Sequence, residues 1–209
     1  MELAGTNFSR MEMSAIKEMA NIGLGHATTA LSELTGHRFT MDVPSVRTVN
    51  LESVPEMIGG TDEVAVGVYM QITGDVEGHM AFIFPWQKAQ VLWEMLLGDY
   101  PQDASEIDEL AASAMLETGN IINSAFMNAI SDMSGLRVYA SPPLVAVDNC
   151  YSIVSSIVAE AEMSEVVALA IETELTSLGE QQTGGYFLYI PAVDSLHKFF
   201  KGLRLEEIA

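Results

Sequence analysis

The chain is short of cationic side chains, has one cysteine and contains no long apolar run. Nine Lys and Arg stand against 29 Asp and Glu, giving a formal net charge of −20. A surface that binds phosphate backbones or anionic lipid needs the opposite balance, so neither nucleic acid nor a membrane surface is an expected partner. The charge suits a partner that presents Lys or Arg where it makes contact. Cys150 has no second cysteine to pair with, which fits a reducing compartment. Its flank, Val147-Asp148-Asn149-Cys150-Tyr151, offers neither a base nor a positive setting, so Cys150 is read as an ordinary residue rather than a nucleophile. No apolar stretch approaches the roughly 18 residues that span a membrane. The start, Met1-Glu2-Leu3-Ala4-Gly5-Thr6, has an acid at its second position and lacks the apolar segment of a signal peptide, so a cytoplasmic location is expected. His26, His37, His79 and His197 lack metal-ligand spacing, and no metal site is expected.

What the chain does have is a sparse polar pattern written twice, 99 residues apart. Ser14, Glu18, Asn21 and Pro44 are matched by Ser113, Glu117, Asn120 and Pro143, and residues 14–49 align on 113–148 without a gap. Ala15, Ile22, Ala30, Ser32, Gly36, Arg38 and Val46 recur as well. A structural repeat keeps its apolar periodicity for packing reasons. Those reasons do not extend to a Ser/Glu/Asn stripe, so the repeat points to two copies of one chemical site. With 49% apolar residues the chain can fill a core. A single domain of two repeats is expected, about 8–100 and 105–205, joined by the acidic stretch Tyr100–Ala104.

Each half reads alike. Ile16, Met19, Ala20, Gly23, Ala27, Ala30, Leu31 and Leu34 recur at helical spacing from about Arg10 to Leu34. Ser9 and Glu12 are spaced as a capping box, and Gly36 is a stop. A strand from Arg38 to Val43 follows, ended by Pro44. Val64–Ile72 and His79–Phe84 are strands joined through Thr73-Gly74-Asp75-Val76-Glu77-Gly78, and Pro85 opens a helix over Trp86–Leu97. In the second half, Ser105 and Asp108 form a second candidate box for a helix to about Met133, stopped by Gly135. Leu136–Ala140 is a strand halted by Pro142-Pro143, Glu165–Leu175 and Tyr186–Ile190 are strands, and a last helix runs to about Leu203. Leu144–Met163 is more apolar than its counterpart and is read as an added helix, with Asp148 near its start as a cap.

Positions 14, 18 and 21 fall on one helix face, as do 113, 117 and 120. A carboxylate there can ion-pair with a partner's Lys or Arg. An amide one turn on can hydrogen-bond and orient a water without acting as a base. Ser14 and Ser113 lie one turn earlier, within reach of the same partner. Gly23-Leu24-Gly25 looks like half of a dinucleotide fingerprint but follows helical residues instead of a strand, so its glycines are assigned to close helix packing.

The doubled pattern S-x-x-x-E-x-x-N-x22-P resembles the CheC type of chemotaxis phosphatase, a family related to CheX and FliY. The flanks Asn21-Ile22-Gly23-Leu24-Gly25-His26-Ala27 and Thr73–Gly78 resemble it too. The resemblance implies an α/β fold with an internal pseudo-twofold repeat, two long motif helices packed on a mixed sheet built from both halves. It implies hydrolysis of the aspartyl phosphate of the chemotaxis response regulator CheY. Glu18 and Glu117 would pair with a lysine of that regulator, and Asn21 and Asn120 would position water. The Mg²⁺ would belong to the regulator, with no cofactor held by this chain. The resemblance implies an alternative as well: a binding module for the receptor deamidase CheD, with Asp148 in the contact.

Overall fold

The computed structural model describes residues 8–160, 167–177, 181–192 and 194–203. Helix α1 spans Arg10–Thr35 and strand β1 Phe39–Asn50. A short turn of helix leads into α2, Val54–Ile58. The hairpin β2 (Val64–Gly74) and β3 (Gly78–Pro85) feeds α3, Trp86–Leu97. The second half supplies α4 (Glu109–Ser134), β4 (Val138–Ala140), β5 (Leu144–Asn149) and α5 (Cys150–Glu160). It closes with β6 (Val167–Ser177), β7 (Gln182–Pro191) and α6 (Ser195–Gly202).

The chain is an α/β protein whose strands form one seven-stranded sheet among the described residues, in the order β1-β6-β7-β3-β2-β4, with β5 also on β2. Every ladder is antiparallel, where a mixed sheet was expected. The order is symmetric about the β3–β7 seam. The first strand of each half crosses over to pair with the second strand of the other: β1 with β6, and β4 and β5 with β2. Both halves are therefore needed to complete one sheet.

Alternation along the strands gives the sheet two unlike faces. Met80, Phe82, Phe84, Leu169, Ile171, Phe187 and Tyr189 face α1, α3, α4 and α6 in the larger core. Ala65, Ala81, Ile83, Ala168, Ala170 and Leu188 face α2 and α5 in a thinner second layer. Small side chains on that side let the short helices sit close to the sheet.

The β2–β3 connection is built for its neighbours. Gly74 and Gly78 have φ of 118° and 151°, and a Cβ at either would strike the Arg137 or Ile190 carbonyl. The Asp75 carboxylate accepts the Arg137 amide at 2.9 Å, which holds that carboxyl below its usual range. The Glu77 amide donates to Ser195 Oγ at 2.8 Å. One hairpin thus fastens both β4 and the start of α6.

Several boundaries differ from the sequence reading. Pro44 does not end β1. The strand continues to Asn50 through a register shift between Asp42 and Ser45. β1 is a sheet edge, and at an edge bulge a proline leaves no ladder hydrogen bond unmade. Its repeat mate Pro143 lies in the break between β4 and β5. Ser105 is not part of a capping box: its amide donates to Asp103, and Asp108 alone caps α4 by accepting the Ala111 amide at 2.8 Å. Leu144–Asn149 is a strand rather than the start of an added helix. The cap of α5 is Asn149, whose side-chain oxygen accepts the Ser152 amide at 2.8 Å, and Asp148 precedes it in β5. Met163 and Glu165, the expected end of that apolar segment and start of the next strand, lie outside the described residues.

Candidate functional site

The two motif helices have equal length and the same 99-residue offset at both ends, Arg10–Thr35 against Glu109–Ser134. Their ends are fixed locally. Ser9 and Glu12 make the full capping box, with bonds of 2.7 and 3.2 Å, and Asp108 caps the second helix. Gly36 and Gly135 end them in the left-handed conformation, each donating its amide back to the helix. The buried Trp93 indole donates to the Ala111 carbonyl at 2.8 Å and pins the first turn of α4 to α3.

The helices lie against each other on the larger core. Gly23 makes the close approach: a Cβ there would stand 2.9 Å from the Phe126 Cα. Gly119 does the same for α4 and the sheet, where a Cβ would stand 2.4 Å from a Val68 methyl. Gly25 has no such role, since a Cβ there would meet nothing within 4 Å. Of the two glycines assigned to close packing, Gly23 alone serves it.

Ile16, Met19, Ala20, Leu24, Ala27 and Leu31 take the inner face of α1, which leaves Ser14, Glu18 and Asn21 exposed together on the outer one. On α4, Ser113 and Glu117 are exposed and Asn120 is half-buried. Residues 25 and 124 are repeat mates. Where the first copy has Gly25, the second has Ser124, whose hydroxyl donates to Asn120 Oδ1 at 3.5 Å. Pro44 lies within β1 at its register shift, and Pro143 lies in the break between β4 and β5.

Asp148 belongs to a different place. It is exposed on β5, at a groove of about 280 Å³ whose apolar wall includes Leu144, Ile153 and Ile157 and whose rim includes Glu160. That groove is on the face covered by α5, away from the motif helices. Cys150 is buried, and burial together with the nearby Glu63 pushes its thiol up to about 11, a setting that disfavours the nucleophilic thiolate. The His79 Nδ1 lies 2.6 Å from the Tyr69 hydroxyl, which makes this histidine a packing and hydrogen-bonding partner within the sheet. Among the described residues no group of three or more His, Cys, Asp or Glu side chains is arranged to hold a metal. No helix among them is long and apolar enough to cross a membrane.

Residues 11–47 match the model of the CheC-like family, a stretch that holds Ser14, Glu18, Asn21 and Pro44 together. Over that stretch the chain is similar to the CheC-like family. It is 27% identical over 195 residues to the CheY-P phosphatase CheC of Bacillus subtilis (strain 168), covering 92% of this chain and 93% of that one. It is 24% identical over 140 residues to the flagellar motor switch phosphatase FliY of the same organism, covering 66% of this chain and 36% of FliY. Among solved structures, FliY of Thermotoga maritima has a TM-score of 0.76 at 22% identity, covering 95% of this chain and 98% of that one. The FliM middle domain from H. pylori has a TM-score of 0.67 at 11% identity, covering 93% and 99%. At these identities the two structures speak to the fold. The second motif of the chain, residues 113–143, lies outside the family match.

Sequence reasoning missed the Gly25/Ser124 difference. The signal was present, because the gapless alignment that pairs Asn21 with Asn120 pairs these two residues as well.

Proposed function

We propose that this CheC-like chain is a phosphatase of the phosphorylated response regulator CheY, working through two sites. The observation that carries the reading is the outward-facing Glu/Asn stripe, present on two helices of equal length and equal offset. The similarity to the CheY-P phosphatase CheC along most of both chains supports it.

Phosphoryl transfer asks mainly for positioning and charge stabilisation. Glu18 and Glu117 serve as docking carboxylates for a lysine beside the regulator's aspartyl phosphate. Asn21 and Asn120 then enter that site, where the amide hydrogen-bonds the attacking water and holds it in line. The water oxygen bonds to phosphorus as the bond to the aspartyl oxygen breaks. The aspartate leaves as carboxylate, and both protons of the water go to the inorganic phosphate, formed as H2PO4⁻. Mg²⁺ belongs to the regulator and offsets charge on the phosphoryl group. An amide suffices because it orients water without removing its proton.

The test is decay of the phosphorylated regulator with Asn21→Ala and Asn120→Ala combined. The reading expects a loss of about 100-fold or more in the accelerated rate, down to the regulator's own hydrolysis, with thermal stability unchanged since Asn21 is exposed and Asn120 half-buried. Full activity in the double variant would refute it.

A second reading is favoured by the groove beside Asp148. An apolar trough with acidic side chains at its rim, on the face away from the motif helices, suits a second protein partner. The resemblance names the deamidase CheD as that partner, and the two roles are compatible. Asp148→Lys should weaken capture of CheD and leave regulator dephosphorylation intact. Unchanged capture would remove Asp148 from the contact.

A further inference from the structure

Large apolar side chains stand exposed at the starts of both motif helices. Met11 is 47% and Leu110 62% exposed, and they occupy the same place in the repeat. The other large apolar residues more exposed than Met11 have no such mate: Leu34, Tyr139, Leu144 and Tyr151 fall opposite Met133, Thr40, Ser45 and Glu52, of which only Met133 is apolar, and it is partly buried.

Neither residue has a folding reason to be apolar. Each is the second residue of its helix, and the core contacts of these first turns are made by others: Phe8 and Met13 before and within α1, Ile107 and Ala111 at α4. Phe8 stacks edge-on against Phe200 at 5.7 Å. The caps are made by Ser9 with Glu12 and by Asp108. Charged residues of equal helix propensity would fill these positions without exposing apolar surface.

Their angular position is the informative part. At 100° per residue, Met11, Ser14, Glu18 and Asn21 fall within an arc of about 80°. Met11 is two turns from Glu18 and nearly in line with it, about 10 Å along the axis. Leu110, Ser113, Glu117 and Asn120 repeat that arrangement. Each stripe therefore reads apolar, hydroxyl, carboxylate, amide along roughly 15 Å of rigid helix.

We propose that Met11 and Leu110 are apolar docking anchors that seat the phosphorylated regulator on each motif helix. This rests on the phosphatase reading and adds a recognition element to it. The partner surface then has an apolar patch about 10 Å from the lysine that meets the Glu, and one regulator surface fits both sites because the spacing is the same in each. The anchors act in binding and do not touch the reacting atoms. Their loss raises the regulator concentration needed for half-maximal rate and leaves the rate at saturation as it was.

The test compares Met11→Gln combined with Leu110→Gln against the wild type, using the regulator phosphorylated by acetyl phosphate with Mg²⁺ present. KM should rise on the order of tenfold, as for losing one well-buried apolar contact per site, with kcat within about twofold. The conservative exchange, Met11→Leu with Leu110→Met, should keep the wild-type KM. Leu34→Gln is the control, since Leu34 is 58% exposed on the same helix but about 140° off the stripe. It should change nothing. An unchanged KM in the Gln pair overturns the proposal, as does an equal effect from Leu34→Gln or a loss confined to kcat. The doubled Asn variant run alongside separates the two ideas. If it keeps activity the phosphatase reading fails. If it loses activity while the Gln pair behaves as wild type, only the anchors fail.

Discussion

The two motif helices are matched in length, in stop signals and in the order of their exposed groups, yet they do not sit alike. α1 lies over the edge strand β1 and against α4, whereas α4 packs on β2, β3 and β4 and touches α1, α3 and α6. The marginal helix leaves Asn21 exposed, with an open glycine one turn on. The central helix holds Asn120 half-buried, with Ser124 hydrogen-bonded to it. The same side chains at the same spacing are thus free in one copy and partly held in the other. A repeat fixes which groups are offered, and the packing around each copy fixes how far they are preorganised.

The largest expected effect tests how tightly the central helix is seated. Gly119→Ala puts a methyl 2.4 Å from a branched Val68 side chain, so α4 or β2 has to shift. Overpacking of this kind costs about 1–3 kcal/mol, and the gain in helix propensity from glycine to alanine returns about 1 kcal/mol. A net loss of up to roughly 2 kcal/mol is expected. At Gly25, with nothing within 4 Å, the same change lacks the clash and should stabilise by up to about 1 kcal/mol. Thermal denaturation of the two variants checks the contrast. Equal effects would mean that the central helix is no more tightly seated than the marginal one.

How much of this was legible in the sequence follows from how local each signal is. The helix ends were legible because Ser9, Glu12, Gly36 and Gly135 act on their own turns. The β2–β3 hairpin was legible for the same reason, and so was the outward stripe, since buried apolar residues define the opposite face. The errors share a cause. Pro44 stops a strand only if its missing amide is needed, and at an edge bulge it is not. Leu144-Val145-Ala146-Val147 is apolar without period, and β5 is decided by pairing with β2, a strand some 80 residues earlier in the chain. The exchange of first strands between halves is likewise non-local, so no window of sequence contains it. Of the candidate site, residue identity and face were readable, and the neighbour at 25 or 124 that sets the state of each Asn had to be seen in place.

The smallest effect bears most directly on that difference, and single-site backgrounds isolate it. With Asn21→Ala in place only the second site can work, and Ser124→Gly then removes the hydroxyl that lies 3.5 Å from Asn120 Oδ1. At that distance the hydrogen bond is at the weak end of the range, so a fall of only about twofold to fivefold in kcat is expected, or under ~1 kcal/mol. With Asn120→Ala in place, Gly25→Ser supplies the first site with the same hydroxyl where no atom obstructs it, and the rate should rise by a similar factor. A Tm measured on each variant separates this from helix propensity, which changes by about 0.5 kcal/mol between Gly and Ser and would move stability without moving kcat. If the two substitutions shift kcat in opposite directions, the held amide is the better one and the packing of α4 makes the second site the stronger. If kcat stays fixed in both backgrounds, the amides work equally well free or held, and the asymmetry of the two helices belongs to folding alone.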